Sequence, residues 1–441
     1  MNHPNNPGSA SLSRRAFLKS SATAAVSLSL VGAGVKSVWG AASDLIKVGV
    51  VGCGGRGTGA VTQALMATKT PVKLWAMADV FRDQLDKSLD MLVKGDKGRY
   101  DRASFTTLAS QLDVPEERKF TGFDAYKRLL ESGVDLVILA TPPVFRPEQF
   151  KAAVEAGKHV FLEKPVAVDP VGIRTVIEAA AIAKAKNLSV VGGTQRRHQQ
   201  HYIEIMQRIH GGAIGIILGG ECYWNSGGGS LTAPKPADMS DMEWQIRHWY
   251  SYAWLCGDHI VEQHVHNLDV MNWALQSHPL TAYGIGGRAV RQGGNIWDHF
   301  AIDYDYPGGV RIRSMCRQIP GCADRVYERI VGAKGVAYLD SGKGWITGEN
   351  PYQPGKSANP YVQEHVDLIH SIRGGSALNE AATIAESSLT GIIGRMSAYT
   401  GQLVEWDWAR RESKLDLRPP QYALVNFPLE PVAVPGKTPL L

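Results

Sequence analysis

Cysteine is scarce in this chain, with five in 441 residues: Cys53, Cys222, Cys256, Cys316 and Cys322. No two form a CxxC pair and the number is odd, which excludes a disulfide framework; a pairing of Cys316 with Cys322 stays open. Long hydrophobic runs are missing too. The one extended apolar stretch, residues 22–35, is broken by Ser27, Ser29, Gly32 and Gly34 and is too short to span a bilayer. Charge of one sign is in short supply beyond the N-terminus. Residues 1–42 hold Arg14, Arg15, Lys19 and Lys36 and no acid, and these supply most of the formal +5. The near-neutral remainder gives no electrostatic case for nucleic acid or acidic lipid as a partner. There is no internal repeat and no low-complexity tract.

What is present at the N-terminus falls into an order. An arginine pair, Phe17-Leu18-Lys19, the short apolar stretch and Gly40-Ala41-Ala42 follow one another. They read as a twin-arginine (Tat) signal peptide over residues 1–42, with an h-region and a small-residue cleavage site. The expectation is a periplasmic or otherwise exported protein, a partnership with the Tat translocation machinery, and no stable membrane anchor after cleavage. Few cysteines suit a chain that folds in a reducing compartment before export.

From residue 46 the pattern is α/β. Short β-branched runs at 46–51, 72–78, 134–140, 159–162 and 188–191 read as buried parallel strands, with helices between them, including 147–157 and 171–186. The polar stretch 94–119 reads as a surface insertion. After about residue 200 strand-like runs become consecutive, at 214–224, 281–290, 299–306, 310–317, 325–331 and 335–339. One helix, 258–275, sits among them, and helices at 362–373 and 380–399 follow. The fold expected is an N-terminal Rossmann-type doubly wound parallel sheet (43–167) and a C-terminal α+β domain with a large, mostly antiparallel open sheet (168–405). A tail, 406–441, drapes over the surface. An open sheet face invites pairing, so a homo-oligomer is expected.

Gly52, Gly54 and Gly57 form GxGxxG between the first strand and the first helix. The first permits the tight turn, the second lets a pyrophosphate approach the backbone, and the third packs helix against strand. Gly55 and Arg56 complete the loop, and the helix N-terminus supplies N–H donors and partial positive charge. Asp79, at the end of the second strand, stands where a ribose-binding acid belongs and favours NAD. Arg82 nearby leaves NADP open. Export as a folded protein, away from any free nicotinamide pool, implies a tightly bound cofactor restored in its own active site.

Two further motifs point to one family. Glu163-Lys164-Pro165 follows the 159–162 strand, and Glu262-Gln263-His264-Val265-His266-Asn267-Leu268-Asp269 follows the pattern D-x-G-x-H-x-x-D with Glu for Asp and His for Gly. Together with the glycine loop, these resemble the Gfo/Idh/MocA oxidoreductases. The resemblance covers residues 45 to about 405. It implies hydride transfer at a carbohydrate or cyclitol hydroxyl. It also implies Lys164 as the substrate-orienting lysine, His266 as the proton-transferring histidine and Glu262 as the acid beside them.

The residue types suit that chemistry on their own terms. Removing a hydride from carbon leaves a proton on oxygen for a base such as His266, while Lys164 stabilises the developing alkoxide. His259, Glu262, His266, Asp269 and Trp273 recur at three- and four-residue spacing. That face reads as a catalytic site, a satisfied polar network, or a metal site through His259, Glu262 and His266; the first is preferred, with no metal. Arg197, His259, Asp269 and Asp298 are candidate substrate contacts. Thr141, Pro142 and Glu163 join the cofactor set, and His264 faces away. The aromatics between Trp244 and Trp254 serve as sugar platforms or as packing. The preferred function is an exported NAD(P)-dependent oxidoreductase. The alternative is an NAD-dependent glycosidase or lyase that oxidises, eliminates and reduces, with Tyr250, Tyr252 or His259 as the second base.

Overall fold

The computed structural model describes residues 45–67, 71–94 and 108–441. The export signal expected at 1–42 lies outside the described residues, as does half of the insertion expected at 94–119.

β1 (Ile46–Val51), β2 (Val72–Asp79), β3 (Lys119–Thr121), β4 (Leu136–Leu139), β5 (His159–Leu162) and β6 (Val190–Gly192) form one sheet in the order β3-β2-β1-β4-β5-β6. Every pairing is parallel. The strands are apolar on both faces because helices cover both, as β4 shows with all four residues buried. The sheet takes in the Pro170–Ala185 helix and β6, past the boundary expected at residue 167. β3 went unanticipated; its three half-buried residues, Lys-Phe-Thr, carry no apolar run.

The second sheet holds β7 (Ile217–Ser226), β8 (Thr281–Gly287), β9 (His299–Asp305), β10 (Arg311–Gln318), β11 (Arg325–Gly332), β12 (Gly335–Leu339), β13 (Gly344–Gly348) and β14 (Val404–Glu405). Their order is β13-β12-β11-β7-β10-β9-β8-β14. Only β7 and β10 pair in parallel. Alternating burial along β9 and β10 gives the sheet one covered and one open face. The helices Val265–Leu275 and Ala381–Thr400 cover the inner face, and the buried Ala381–Thr400 helix touches both β8 and the Pro170–Ala185 helix.

The single helix expected at 258–275 is two. His259–Glu262 ends at Gln263, and Val265–Leu275 begins after His264. At the junction the His264 N–H reaches back five residues to the His259 carbonyl, and the His266 N–H reaches only three, to Gln263. The break rotates the second segment against the first, so spacing across it no longer reports a shared face. All five cysteines are free, with Cys316 buried and Cys322 exposed. Among the described residues no helix is long and apolar enough to cross a membrane.

Candidate active site

β1 delivers the glycine loop to the carboxyl edge of the parallel sheet, and the Gly55–Met66 helix leaves from it. Gly52 has φ +93°, and a Cβ there would stand 2.6 Å from the Thr141 nitrogen. At Gly57 a Cβ would fall 1.9 Å from the Gly52 carbonyl oxygen, so only glycine lets helix and loop meet. At Gly54 a Cβ would meet nothing within 4 Å. That open side faces a cavity of ≈ 450 Å³, lined by Gly52–Arg56, Asp79, Thr141 and Pro142 among others. The loop therefore fits a pyrophosphate on the criterion that distinguishes the three glycines.

Asp79 is fixed at the cavity edge by accepting from the Cys53 N–H (2.7 Å) and the Phe81 N–H (2.9 Å). Burial raises its pKa against the pull of those two donors. Arg82, the residue that left NADP open, turns away. It pairs with Asp86 at 2.8 Å and with Glu116, and does not line the cavity. Thr141 donates to Gln149 at 2.7 Å. Arg56 lines the cavity, but its guanidinium is engaged by Glu163, by Gln63 at 2.8 Å and by Glu364 at 3.3 Å. Glu163 is thus a partner of Arg56.

The second group of residues meets where β5 ends. Lys164, after the Glu163 carbonyl and before a cis bond to Pro165, donates to the Glu262 carbonyl (2.5 Å) and to Glu262 Oε1 (3.1 Å). A lysine ammonium has three N–H donors, so one is left over. Glu262 Oε2 and His266 Nδ1 are buried without a partner. The His266 ring stacks on Trp224, 5.8 Å away, and the Arg196 guanidinium lies 5.8 Å from the same indole. Burial holds His266 well below its ordinary pKa, and the charges of Lys164, Arg196 and Arg56 add to the effect. A neutral imidazole with a free nitrogen, close enough to the Lys164 ammonium to feel its charge, is equipped for proton transfer.

The other candidates have protein partners. Arg197 forms a bidentate pair with Asp269 (2.9 and 2.9–3.1 Å), which also accepts from Ser387 at 2.7 Å. Asp298 is fully buried and accepts from the backbone N–H groups of Ala289, Val290 and Arg291 and from His299. It anchors a turn. His259 holds Nδ1 against Asp258 (2.9 Å), leaving Nε2 buried and unpartnered. Among the described residues no three His, Cys, Asp or Glu side chains are grouped to hold a metal ion, which removes support from the metal reading of His259, Glu262 and His266. His264 faces the sheet, 2.7 Å from Ser314 Oγ.

Sequence reasoning missed the floor beneath His266. Arg196 pairs with Glu328, which also accepts from Tyr202 (2.9 Å) and Asn267. Burial raises Glu328 to about 7 even though Arg196 opposes the shift. These residues come from a short helical turn, two helices and β11, so no local pattern joins them. Of the aromatic segment, Trp254 packs on Phe145 and Phe427, whereas Trp249 lines the nucleotide cavity.

Residues 46–193 match the family described as oxidoreductase family, NAD-binding Rossmann fold (GFO_IDH_MocA). That match takes in about a third of the chain and coincides with the parallel sheet and its glycine loop. Inositol 2-dehydrogenase 4 of Saccharopolyspora erythraea is 30% identical over 139 residues, 31% of this chain and 39% of that one. A glycosyl hydrolase family 109 protein of Shewanella baltica is 26% identical over 183 residues, 41% of this chain and 35% of that protein. The chain thus spans well under half the length of these curated relatives. Solved structures extend the fold to the C-terminal sheet. The scyllo-inositol dehydrogenase of Lactobacillus casei superposes with a TM-score of 0.59 at 18% identity, covering 83% of this chain and 100% of that one. An aldose-aldose oxidoreductase from Caulobacter crescentus gives 0.61 at 17%, covering 82% and 99%.

Proposed function

We propose that this protein is an exported, NAD-dependent oxidoreductase of the Gfo/Idh/MocA kind, acting on a sugar, glycoside or cyclitol hydroxyl, whose cofactor stays bound and is recycled in place. The observation that carries the reading is the junction of Lys164, Glu262 and His266 at the edge of the sheet that presents the glycine cradle. The names of the inositol dehydrogenase and aldose-aldose oxidoreductase relatives support the substrate class. The fixed Asp79 and the diverted Arg82 support NAD over NADP.

Bound NAD supplies the hydride acceptor. The chain's own residues do the rest. Lys164, held by Glu262, directs its remaining N–H to the substrate oxygen and stabilises the alkoxide. Neutral His266 takes the hydroxyl proton and returns it when a second carbonyl is reduced. Burial of all three side chains limits water near the reacting carbon. Export rests on the twin-arginine pattern alone, with the Tat machinery as partner. Self-association through the open sheet face is supported by exposed Leu218, Tyr283 and Ile285.

A second reading, glycoside cleavage, is favoured by the similarity to the family 109 hydrolase and by the Asp258–His259 pair. Oxidation of a ring hydroxyl acidifies the neighbouring C–H, a base removes that proton, and the aglycone leaves before water adds and the hydride returns. Tyr250, half-buried and bonded to Gln318, with desolvation holding its pKa well above the usual value, is a poor base for that step. The deciding experiment gives the purified, exported protein a polyol and then a second carbonyl compound, without added nucleotide. Nicotinamide absorbance that rises and then falls supports the oxidoreductase. Aglycone released from aryl glycosides instead supports the second reading, and protein that is empty and inert until coenzyme is supplied refutes the retained cofactor.

A further inference from the structure

The nucleotide cavity has a wall that the Rossmann sheet does not supply. Ile246, Arg247 and Trp249 line it across from the glycine loop and Asp79, and all three come from the segment between β7 and the His259–Glu262 helix. The short Asp241–Arg247 helix starts at Ser240, whose hydroxyl accepts from the Glu243 N–H. Its last residue, Arg247, reaches across to the helix that follows β2. There it donates to both oxygens of Asp83 (3.0 and 3.2 Å), and its guanidinium lies 3.9 Å above the Phe81 ring.

The far side of this segment is buttressed by the C-terminal tail. The Met242 N–H donates to the Val425 carbonyl (3.1 Å), and Gln245 Nε2 to the Phe427 carbonyl (2.8 Å). The tail also grips the Rossmann half: Tyr422 lies 5.2 Å from Phe145 and 5.9 Å from Phe123, and Arg418 donates to Glu148 at 2.7 Å. The tail therefore joins two layers and does more than drape over a surface.

We infer that residues 241–252 are a strap that closes the adenosine end of the NAD site, latched by Arg247 to Asp83 and Phe81 and backed by the tail, and that this latch sets how slowly the dinucleotide leaves. The inference rests on the NAD-dependent reading above and deepens it. An exposed bidentate ion pair and a cation–π contact are each modest. Their combined loss speeds escape by about tenfold, and loss of the ion pair alone by about threefold.

The test is the rate at which full-length protein, loaded with NADH, loses its bound fluorescence when chased with excess NAD. Asp83→Ala is the informative variant, because Asp83 does not line the cavity. Faster release from Asp83→Ala and Arg247→Ala, with near-native release restored in the charge swap Asp83→Arg with Arg247→Asp, supports the latch. So does a native release rate that climbs with ionic strength while that of Asp83→Ala does not. Tyr422→Ala, which leaves the ion pair intact, is expected to release faster without changing that salt dependence. Equal release from native protein and both single variants overturns the latch and leaves the dehydrogenase standing. A native chain that takes up no NADH overturns both.

Discussion

Gly54 and Gly57 belong to the same motif yet answer to different constraints, and an alanine at each separates cofactor binding from folding. Gly54 sits at the N-cap of the first helix with φ −71° and ψ −175°, a conformation open to alanine, and its Cβ meets no protein atom. Alanine is a poorer N-cap than glycine but narrows the unfolded ensemble, and the two effects offset to within about 1 kcal/mol. Gly54→Ala should therefore fold with an unchanged melting midpoint. Its methyl projects into the space that the loop offers a pyrophosphate, and a loss of about 100-fold in NAD affinity, or ~2.8 kcal/mol, is expected. At Gly57 the added Cβ stands 1.9 Å from a backbone oxygen that cannot swing aside. Gly57→Ala should cost about 3 kcal/mol as helix and loop part, lowering the midpoint by roughly 5 °C and losing the cofactor as well. The assay counts nucleotide released per chain on acid denaturation, beside a thermal melt of nucleotide-free protein. A Gly54→Ala protein that carries as much nucleotide as the native chain refutes the placement of the cofactor in this cradle.

Other outcomes follow from the same geometry. His266→Ala should lower turnover by 10²–10⁴-fold, in line with loss of a general base, while bound nucleotide per chain stays constant. Burial, with help from His259 and Arg196, holds His264 down to about 3 in the folded chain, against an ordinary value near 6.5 in the unfolded one. Below pH ~6.5 the unfolded state binds a proton that the folded state refuses, so stability falls with pH. His264→Asn should flatten that acid slope in denaturant titrations. His198 runs the other way: burial opposes its charge, but Asp367 and Glu380 raise it to about 10. Its contribution is full below pH ~6.5 and lost as pH climbs through about 10, so His198→Asn should weaken the fold at neutral pH and reduce its alkaline loss. Asp298→Ala strips the acceptor from three backbone N–H groups and should cost about 3 kcal/mol in the same titrations, with turnover per folded molecule unchanged.

The sequence was legible where one element carries a whole reason. β1, the glycine loop and Asp79 follow one another along the chain, so strand, turn and acid announce themselves together. Both sheets were legible as well, because an all-apolar β4 and an alternating β9 state how many faces are covered. The limits appear where partners come from far apart. Asp269 and Arg197 looked like substrate ligands because charged groups near a motif invite that reading. They neutralise each other across 72 residues, a pairing no local pattern declares. Asp298 looked exposed to the pocket, yet its carboxylate folds the turn that precedes it. The helix break at Gln263 hid for a related reason. Neither glycine nor proline marks it, and the three-residue and five-residue hydrogen bonds that make it depend on packing against the sheet.

On the proposed reading, that break also decides which histidine takes the proton. Were 258–275 one helix, His259 and His266 would compete on a single face. As two segments, the first spends its histidine on Asp258 and leaves Glu262 to hold Lys164, and the second sets His266 against Trp224. Burial, helped by the cations of Lys164 and Arg196, makes His266 reluctant to keep a proton, which looks like a handicap for a base. For the cofactor recycling proposed above it is a requirement. The proton lifted from one hydroxyl must be handed to the next alkoxide in the same pocket, and an imidazole that holds it weakly serves both directions. A strongly basic group at position 266 would speed the first half-reaction and stall the second. Replacing the fixed cation by Arg196→Met should therefore raise the pKa of His266 and slow return of the hydride to the second substrate more than its removal from the first, as single-turnover absorbance changes for the two halves would resolve.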